Sequence, residues 1–351
     1  MSYGQVLTDL ITTSDGVSSA GLYGFKNRII NGAMQIDQRN AGASVTPTAN
    51  TTYTLDRWNT YLSQASKFSV QQSTTVPAEF KNSLLVTSLS AYTVGSSETF
   101  AIAQRIEGLN TYDLDWGTAN AKTVTLSFWV RSSLTGTFGG AIKNSAENRA
   151  YPFSYTISSA NTYELKTITI AGDTSGTWLT TNGVGITIVF SLGTGSTVSG
   201  TVGAWGAGNL FSATGATSVV GTSGATFYIT GVQLEKGSAA TSFDYRPYTT
   251  ELQLCQRYYA QLGGYITGDI WVSGYAVSGF FLTQTLPYQV SMRANPTATR
   301  VGSWTQTNVA SFTLNAGIST VSIQLAASSV PAGITSSTNG TSTYITLAAE
   351  L

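Results

Sequence analysis

The chain has 351 residues, with 17 Lys plus Arg balanced by 17 Asp plus Glu, no His and a single Cys. That balance leaves no net field to draw nucleic acid or an anionic membrane. The lack of His excludes zinc sites built on His and Cys, and nucleophile systems that need a His base. Lone Cys255 excludes an internal disulfide. Only 10% of residues are charged, against about 25% in ordinary globular proteins. Small polar residues, 36 Gly and 18 Tyr, 14 Phe and 7 Trp fill the gap. This composition favours strands joined by tight turns, and a surface partly covered by partner subunits. No run reaches the ~18 apolar residues of a membrane span, and the first residues lack a basic start before an apolar core. Neither membrane insertion nor an ordinary secretion signal is expected.

Residues 1–27 read as a short N-terminal arm, too small to bury Val6, Leu7, Leu10 and Ile11 by itself. It is either a free terminus or an anchor to a neighbouring protein. Residues 28–249 read as strand after strand. Val124, Leu126, Phe128 and Val130 share one face, opposite Thr125, Ser127, Trp129 and Arg131. Val184, Ile186, Ile188, Phe190 and Leu192 repeat the alternation, with Gly-rich turns between such runs. Phe227 and Ile229 are out of phase with Val232 and Leu234, which Gly231 repairs if it forms a bulge. The one helical pattern is 250–263, capped by Thr250 and stopped by Gly263 and Gly264, with Leu254, Tyr258 and Leu262 on one face. Cys255 reads as a small buried apolar residue there. Residues 264–351 return to strands, in the length of a second, smaller β-sandwich. The expected class is all-β: sandwich, linking helix, sandwich.

Asn27 to Arg39 followed by Asp56-Arg57-Trp58 resembles the opening of a recurrent bacteriophage virion domain found in tail fibres and related structural proteins. The resemblance continues through Gln104 to Glu107, Thr125 to Ser132, Phe227 to Gly237, Phe243 to Pro247 and the Glu251 to Tyr259 stretch. Beneath it, Asn31-Gly32, Trp58 and the Phe227-Tyr228-Ile229 strand are similar to carbohydrate-binding jelly-roll modules, although Thr230 stands where those modules commonly carry an acidic residue. The resemblance implies a non-enzymatic component of a phage particle, on the tail or head exterior. A short tail fibre that attaches to host surface glycans is the first expectation; a head decoration or tail adaptor is the alternative. A homotrimer, docked on another virion protein through the arm, is the expected assembly. Pro287 and Met292 to Thr297 resemble fibre-tip domains that follow this module.

Four tryptophans are candidate sugar platforms, because rings stack on the apolar faces of sugars: Trp129, pointing away from the Phe128 face, and Trp178, Trp205 and Trp271 in or beside Gly-rich segments. Asp113 and Asp115, two apart, would share a face of a strand and could hold a structural calcium; equally they could be turn residues ahead of the Val124 strand. No other cofactor is expected. Glu98, Glu107, Asp113 and Asp115 are available for glycoside cleavage, but nothing in the sequence pairs them as acid and partner. Arg57 beside Trp58, and Arg105 beside Glu107, read as buried or interface ion pairs. Glu235-Lys236 and Asp244-Tyr245-Arg246 are expected to fasten the two sandwiches together.

Overall fold

The computed structural model describes residues 26–276, 281–329 and 332–351. The arm expected over 1–27 therefore lies, up to residue 25, outside the described residues. Asn27, assigned to that arm from sequence, is buried in the fold: its side-chain amide donates to Val232 O at 3.0 Å, and its Oδ1 accepts from Ile29 N and Leu234 N.

The protein is all-β, with a jelly-roll sandwich in front and a smaller sandwich behind. One sheet of the first sandwich runs β1 (Trp58–Leu62), β4 (Thr99–Glu107), β9 (Val184–Thr194), β6 (Gly136–Lys143), β7 (Arg149–Ile157) and β11 (Gly206–Ala207). The other runs β2 (Phe68–Ser73), β3 (Ser83–Ser88), β13 (Thr226–Lys236), β5 (Val124–Ser132) and β8 (Glu164–Ile170). Neighbours in both sheets are antiparallel. The predicted alternation holds: Val124, Leu126, Phe128 and Val130 of β5 face Ile186, Ile188, Phe190 and Leu192 of β9 in one core. Phe128 and Phe190 meet edge to face at 5.0 Å. A pair of two-residue strands, β10 (Ser199–Gly200) and β12 (Ser212–Ala213), belongs to a segment lying over the outer face of the first sheet. There Phe211 packs on Tyr61 at 5.2 Å, so β9 buries Val189 and Ser191 on its outer side as well.

β13 contains the bulge that the phase shift requires. Its register with β5 slips between Thr230 and Gln233, and Gly231 sits at φ +60°. Phe227 and Ile229 before it, and Val232 and Leu234 after it, are all fully buried. A Cβ on Gly231 would come within 2.6 Å of Phe80 Cζ and 3.1 Å of Trp129 Cδ1. Gly231→Val is therefore expected to cost about 1–3 kcal/mol, from overpacking and a disfavoured φ together. Thermal unfolding checks this; an unshifted midpoint would mean that the bulge tolerates a side chain.

The helix is shorter than its sequence pattern. α1 spans Tyr248–Gln256 and starts from Pro247, with no side-chain cap from Thr250. Tyr259–Gly263 is instead β14, so Leu262 leaves the helical face expected for it. Tyr-Tyr-Ala-Gln-Leu has strand propensity as well as helical periodicity, and pairing with β22 (Tyr344–Ala348) decides the matter. Cys255 is fully buried, with its thiol pushed up by that burial.

The second sandwich packs two three-stranded sheets against a third. The first two are β14, β22 and β17 (Thr297–Val301), and β15 (Trp271–Ala276), β21 (Ala332–Ser337) and β18 (Thr305–Thr307). The third is β16 (Leu282–Pro287), β20 (Thr320–Ala327) and β19 (Val309–Ala316). Val321, Ile323, Leu325, Ile334, Ile345 and Leu347 fill its core.

The seam between the sandwiches is ionic, but not through the charges expected there. Arg246 bonds Asn27 O, Ile29 O and Glu251, and Glu235 accepts from Gln233 and Thr241; these groups close residues 27–31 against β13 and α1. The joint is made by Glu350, which pairs with Arg57 and Arg39, and by Glu107, which accepts from Arg257 Nη2 and Nε at 2.6 and 2.9 Å and from the Tyr258 hydroxyl at 2.6 Å. Arg105 does not pair with Glu107; it reaches Leu351 O and Tyr61 OH.

Candidate functional site

The tryptophans expected to act as platforms fall in three places. Trp129 stands half-buried on the outer side of β5, beside Phe80 and Gly231, where Phe80, Phe243 and Tyr245 also cluster. Trp271 is 56% exposed on β15 of the second sandwich. Trp178 and Trp205 do come together, and a third indole that was not among the expected platforms, Trp116, joins them. Trp116 lies 4.7 Å from Trp178 and 5.2 Å from Trp205, and Trp178 is 5.3 Å from Trp205, all edge to face. Tyr151 of β7 backs Trp205 at 5.3 Å.

Three loops supply this triangle, and each indole N–H is tied to a loop carbonyl: Trp116 to Lys122 O, Trp178 to Ser175 O and Trp205 to Ala171 O, at 2.8, 3.2 and 2.7 Å. Satisfied N–H groups and mutual ring packing fix the rings without calling on the solvent. The loop carrying Trp178 is anchored by buried Asp173, which Arg149 grips with two bonds of 2.6 and 2.8 Å. Two glycines allow the loops to touch. Gly117, at φ +86°, would place a Cβ 2.7 Å from Gly176 O.

Beside Trp116 and Trp178 opens a pocket of about 140 Å³. Tyr112, Leu179 and the carboxylate-bearing Asp115 stand at its edge, with Thr111, Thr118 and Thr180 adding hydroxyls. Tyr112 is 63% exposed, while Trp116 is almost fully buried. The result is an aromatic floor, an exposed ring at the rim, and one carboxylate able to accept hydrogen bonds from paired hydroxyls.

The two aspartates of the calcium reading do not act as a pair. Asp113 lies in a 3₁₀ turn (Tyr112–Leu114) and Asp115 caps that turn in the left-handed conformation, so the shared strand face is not formed. Turn residues ahead of β5 is the alternative that describes them. Both oxygens of Asp113 are taken by Arg28 at 2.8 Å, with Lys236 at 3.5 Å. Burial works against the Asp113 charge, but the Arg28 bonds and the two cations outweigh it and hold the carboxyl below its usual range. Among the described residues, no group of three or more His, Cys, Asp and Glu could hold a metal. No helix among them is long and apolar enough to cross a membrane.

Sequence reasoning missed Trp116, Tyr112 and Leu179 because they meet Trp178 and Trp205 only through loop packing. The usable signal was Asp-Trp-Gly at 115–117 and Gly-Thr-Trp at 176–178, each a tryptophan within two residues of a turn glycine.

No family model matches the chain, and no curated protein does either. Among solved structures it is similar to the enzymatically active domain of tailspike protein 4 of bacteriophage CBA120, at 14% identity and TM-score 0.34 over 60% of this chain; the chain spans 21% of that structure's length. A candidate sugar-binding protein of Bacteroides thetaiotaomicron aligns at 14% identity and TM-score 0.36, over 60% of this chain and 100% of that one. The family 11 carbohydrate-binding module of Clostridium thermocellum cellulase Lic26A-Cel5E aligns at 12% identity and TM-score 0.29, over 57% and 99%. At such values the likeness says nothing about ligand or reaction.

Proposed function

We propose that the protein binds a surface glycan without cleaving it, in the pocket between Trp116 and Trp178, and that it does so as an attachment component of a phage particle. The observation that carries the binding reading is the locked triangle of Trp116, Trp178 and Trp205 opening on Tyr112 and Asp115. Aromatic faces give sugars an apolar contact, while the Asp115 carboxylate and threonine hydroxyls read their polar edge. The phage setting rests on the ordered sequence blocks from Asn27 to Tyr259 that resemble virion domains.

The carboxylates support a role without catalysis. Glu107 is bound by Arg257 and Tyr258, Asp113 by Arg28, and Glu98 by Tyr92 OH and Gly95 N. Cleavage of a glycoside needs an acid and a second carboxylate facing each other across the bond. Among the described residues, Asp115 is the one carboxylate lining the pocket. Assembly as a homotrimer belongs to the same proposal, supported by the sparse charge and by exposed Trp271, Tyr275 and Phe281 in the second sandwich.

The test is saturable binding of the fluorescently tagged chain to bacterial cells, its competition with phage adsorption, and an assay for released reducing ends. Saturable, competing binding without released ends is the expected result. A well-folded protein that binds no cell leaves the head decoration or tail adaptor role, and released ends would make it a depolymerase.

A further inference from the structure

Nearly all the negative charge in this chain is committed. Among the described residues, every carboxylate but two accepts a hydrogen bond from the protein or pairs with one of its cations. One exception is Glu79, exposed in a surface turn. The other is Asp115, at the edge of the pocket beside Trp116 and Trp178. No Lys or Arg among the described residues pairs with Asp115, and none lines that pocket. Lys122, the nearest cation along the chain, accepts the Trp116 N–H with its carbonyl and forms no ion pair either.

The turn accounts for what is left on offer. Asp115 N–H donates to Tyr112 O at 3.2 Å, and Asp115 O accepts from the Thr118 hydroxyl at 2.7 Å. Both main-chain groups are thus bound within the turn, and the side chain of this exposed residue is the part without a partner.

The charge and the rings call for the same ligand group. An aromatic face is the negative side of the ring and attracts a cation within about 6 Å of its centre. A carboxylate beside such faces adds to that attraction and opposes an anion. A neutral sugar gives Asp115 hydroxyl donors but leaves its charge uncompensated. An ammonium brings a positive charge and three donors at once, and charge-assisted bonds are the stronger kind.

We infer that the pocket selects an amino sugar with a free amine, a 2-amino-2-deoxyhexose, over its N-acetylated counterpart, with the ammonium bound by Asp115 beside the Tyr112 and Trp178 rings. This rests on the glycan-binding reading above and names the saccharide class for the same site.

The test is isothermal titration of the full chain, at low salt, with tetramers of glucosamine, N-acetylglucosamine and glucose. Wild-type protein is expected to bind the glucosamine tetramer about tenfold more tightly than the N-acetylated one, the combined effect of an exposed ion pair and a cation–ring contact. Asp115→Asn removes the charge and keeps the shape, and Asn accepts the left-handed backbone found here, φ +53°, as readily as Asp does. That variant should lower the preference to about threefold or less, and added salt should lower the wild-type preference in the same direction. Equal binding of the tetramers, or a preference that survives Asp115→Asn, overturns the inference and leaves the proposed function standing. Glucosamine binding that Trp178→Ala does not weaken lies outside the pocket and overturns it as well. If wild-type protein binds none of the three, the inference fails, and the cell-binding test above decides the proposed function independently.

Discussion

Glu350→Ala is expected to destabilise the protein by about 3–5 kcal/mol, although Glu350 lies one residue from the end of the chain, because it strands Arg57. The Arg57 guanidinium is almost fully buried, 3.5 Å over the Tyr258 ring, with Glu350 as its anionic partner and Arg105 O accepting from Nη2 at 2.5 Å. Removing the carboxylate leaves a buried cation whose Nε already has no partner. The loss is therefore more than the value of one pair. Arg39 loses its partner too, but it keeps Tyr259, 3.7 Å from its guanidinium, and is partly exposed. Replacing both partners, as Arg57→Met with Glu350→Leu, should recover most of the lost stability, since a buried pair is worth little against packed apolar side chains. Calorimetry on the single and double variants checks this. A single variant as stable as wild type would show that the seam is held by something other than these charges.

Trp116→Ala has the second large expected effect, about 3–5 kcal/mol, for a different reason. Trp116 is 7% exposed and belongs to the core of the first sandwich, so truncation leaves a cavity under Trp178 and Trp205. Trp178→Ala, in a half-buried loop position, should cost much less stability. The two variants thus separate structure from recognition. Both should lose ligand, and only Trp116→Ala should melt early. Chemical denaturation with matched slopes checks the difference in stability, and a Trp116→Ala midpoint equal to that of Trp178→Ala would contradict it.

The sheets were legible because alternation in β5 and β9 records which face is buried, and the bulge at Gly231 was legible because the alternation changes phase there. The end of the helix was not. Tyr258 and Tyr259 fit a helical face as well as a strand, and the choice is made by β22, some 85 residues downstream. The spacing of Asp113 and Asp115 misled for a related reason. A gap of two means a shared face only on a strand, and here the backbone turns. Arg28, which takes up Asp113, is likewise a distant partner that no local spacing reveals. Of the candidate platforms, Trp178 and Trp205 were recognisable as loop tryptophans beside glycines, but their meeting with Trp116 depends on how three loops pack.

The central claim, that the Trp116–Trp178 pocket holds a glycan, is tested most directly on a glycan array that compares wild-type protein with Trp178→Ala. Both proteins must first show equal melting temperatures. Selective binding by wild type that falls about tenfold or more in the variant is the result expected if the ring supplies a stacking contact. Equal binding by the two proteins, or none by either, would contradict it.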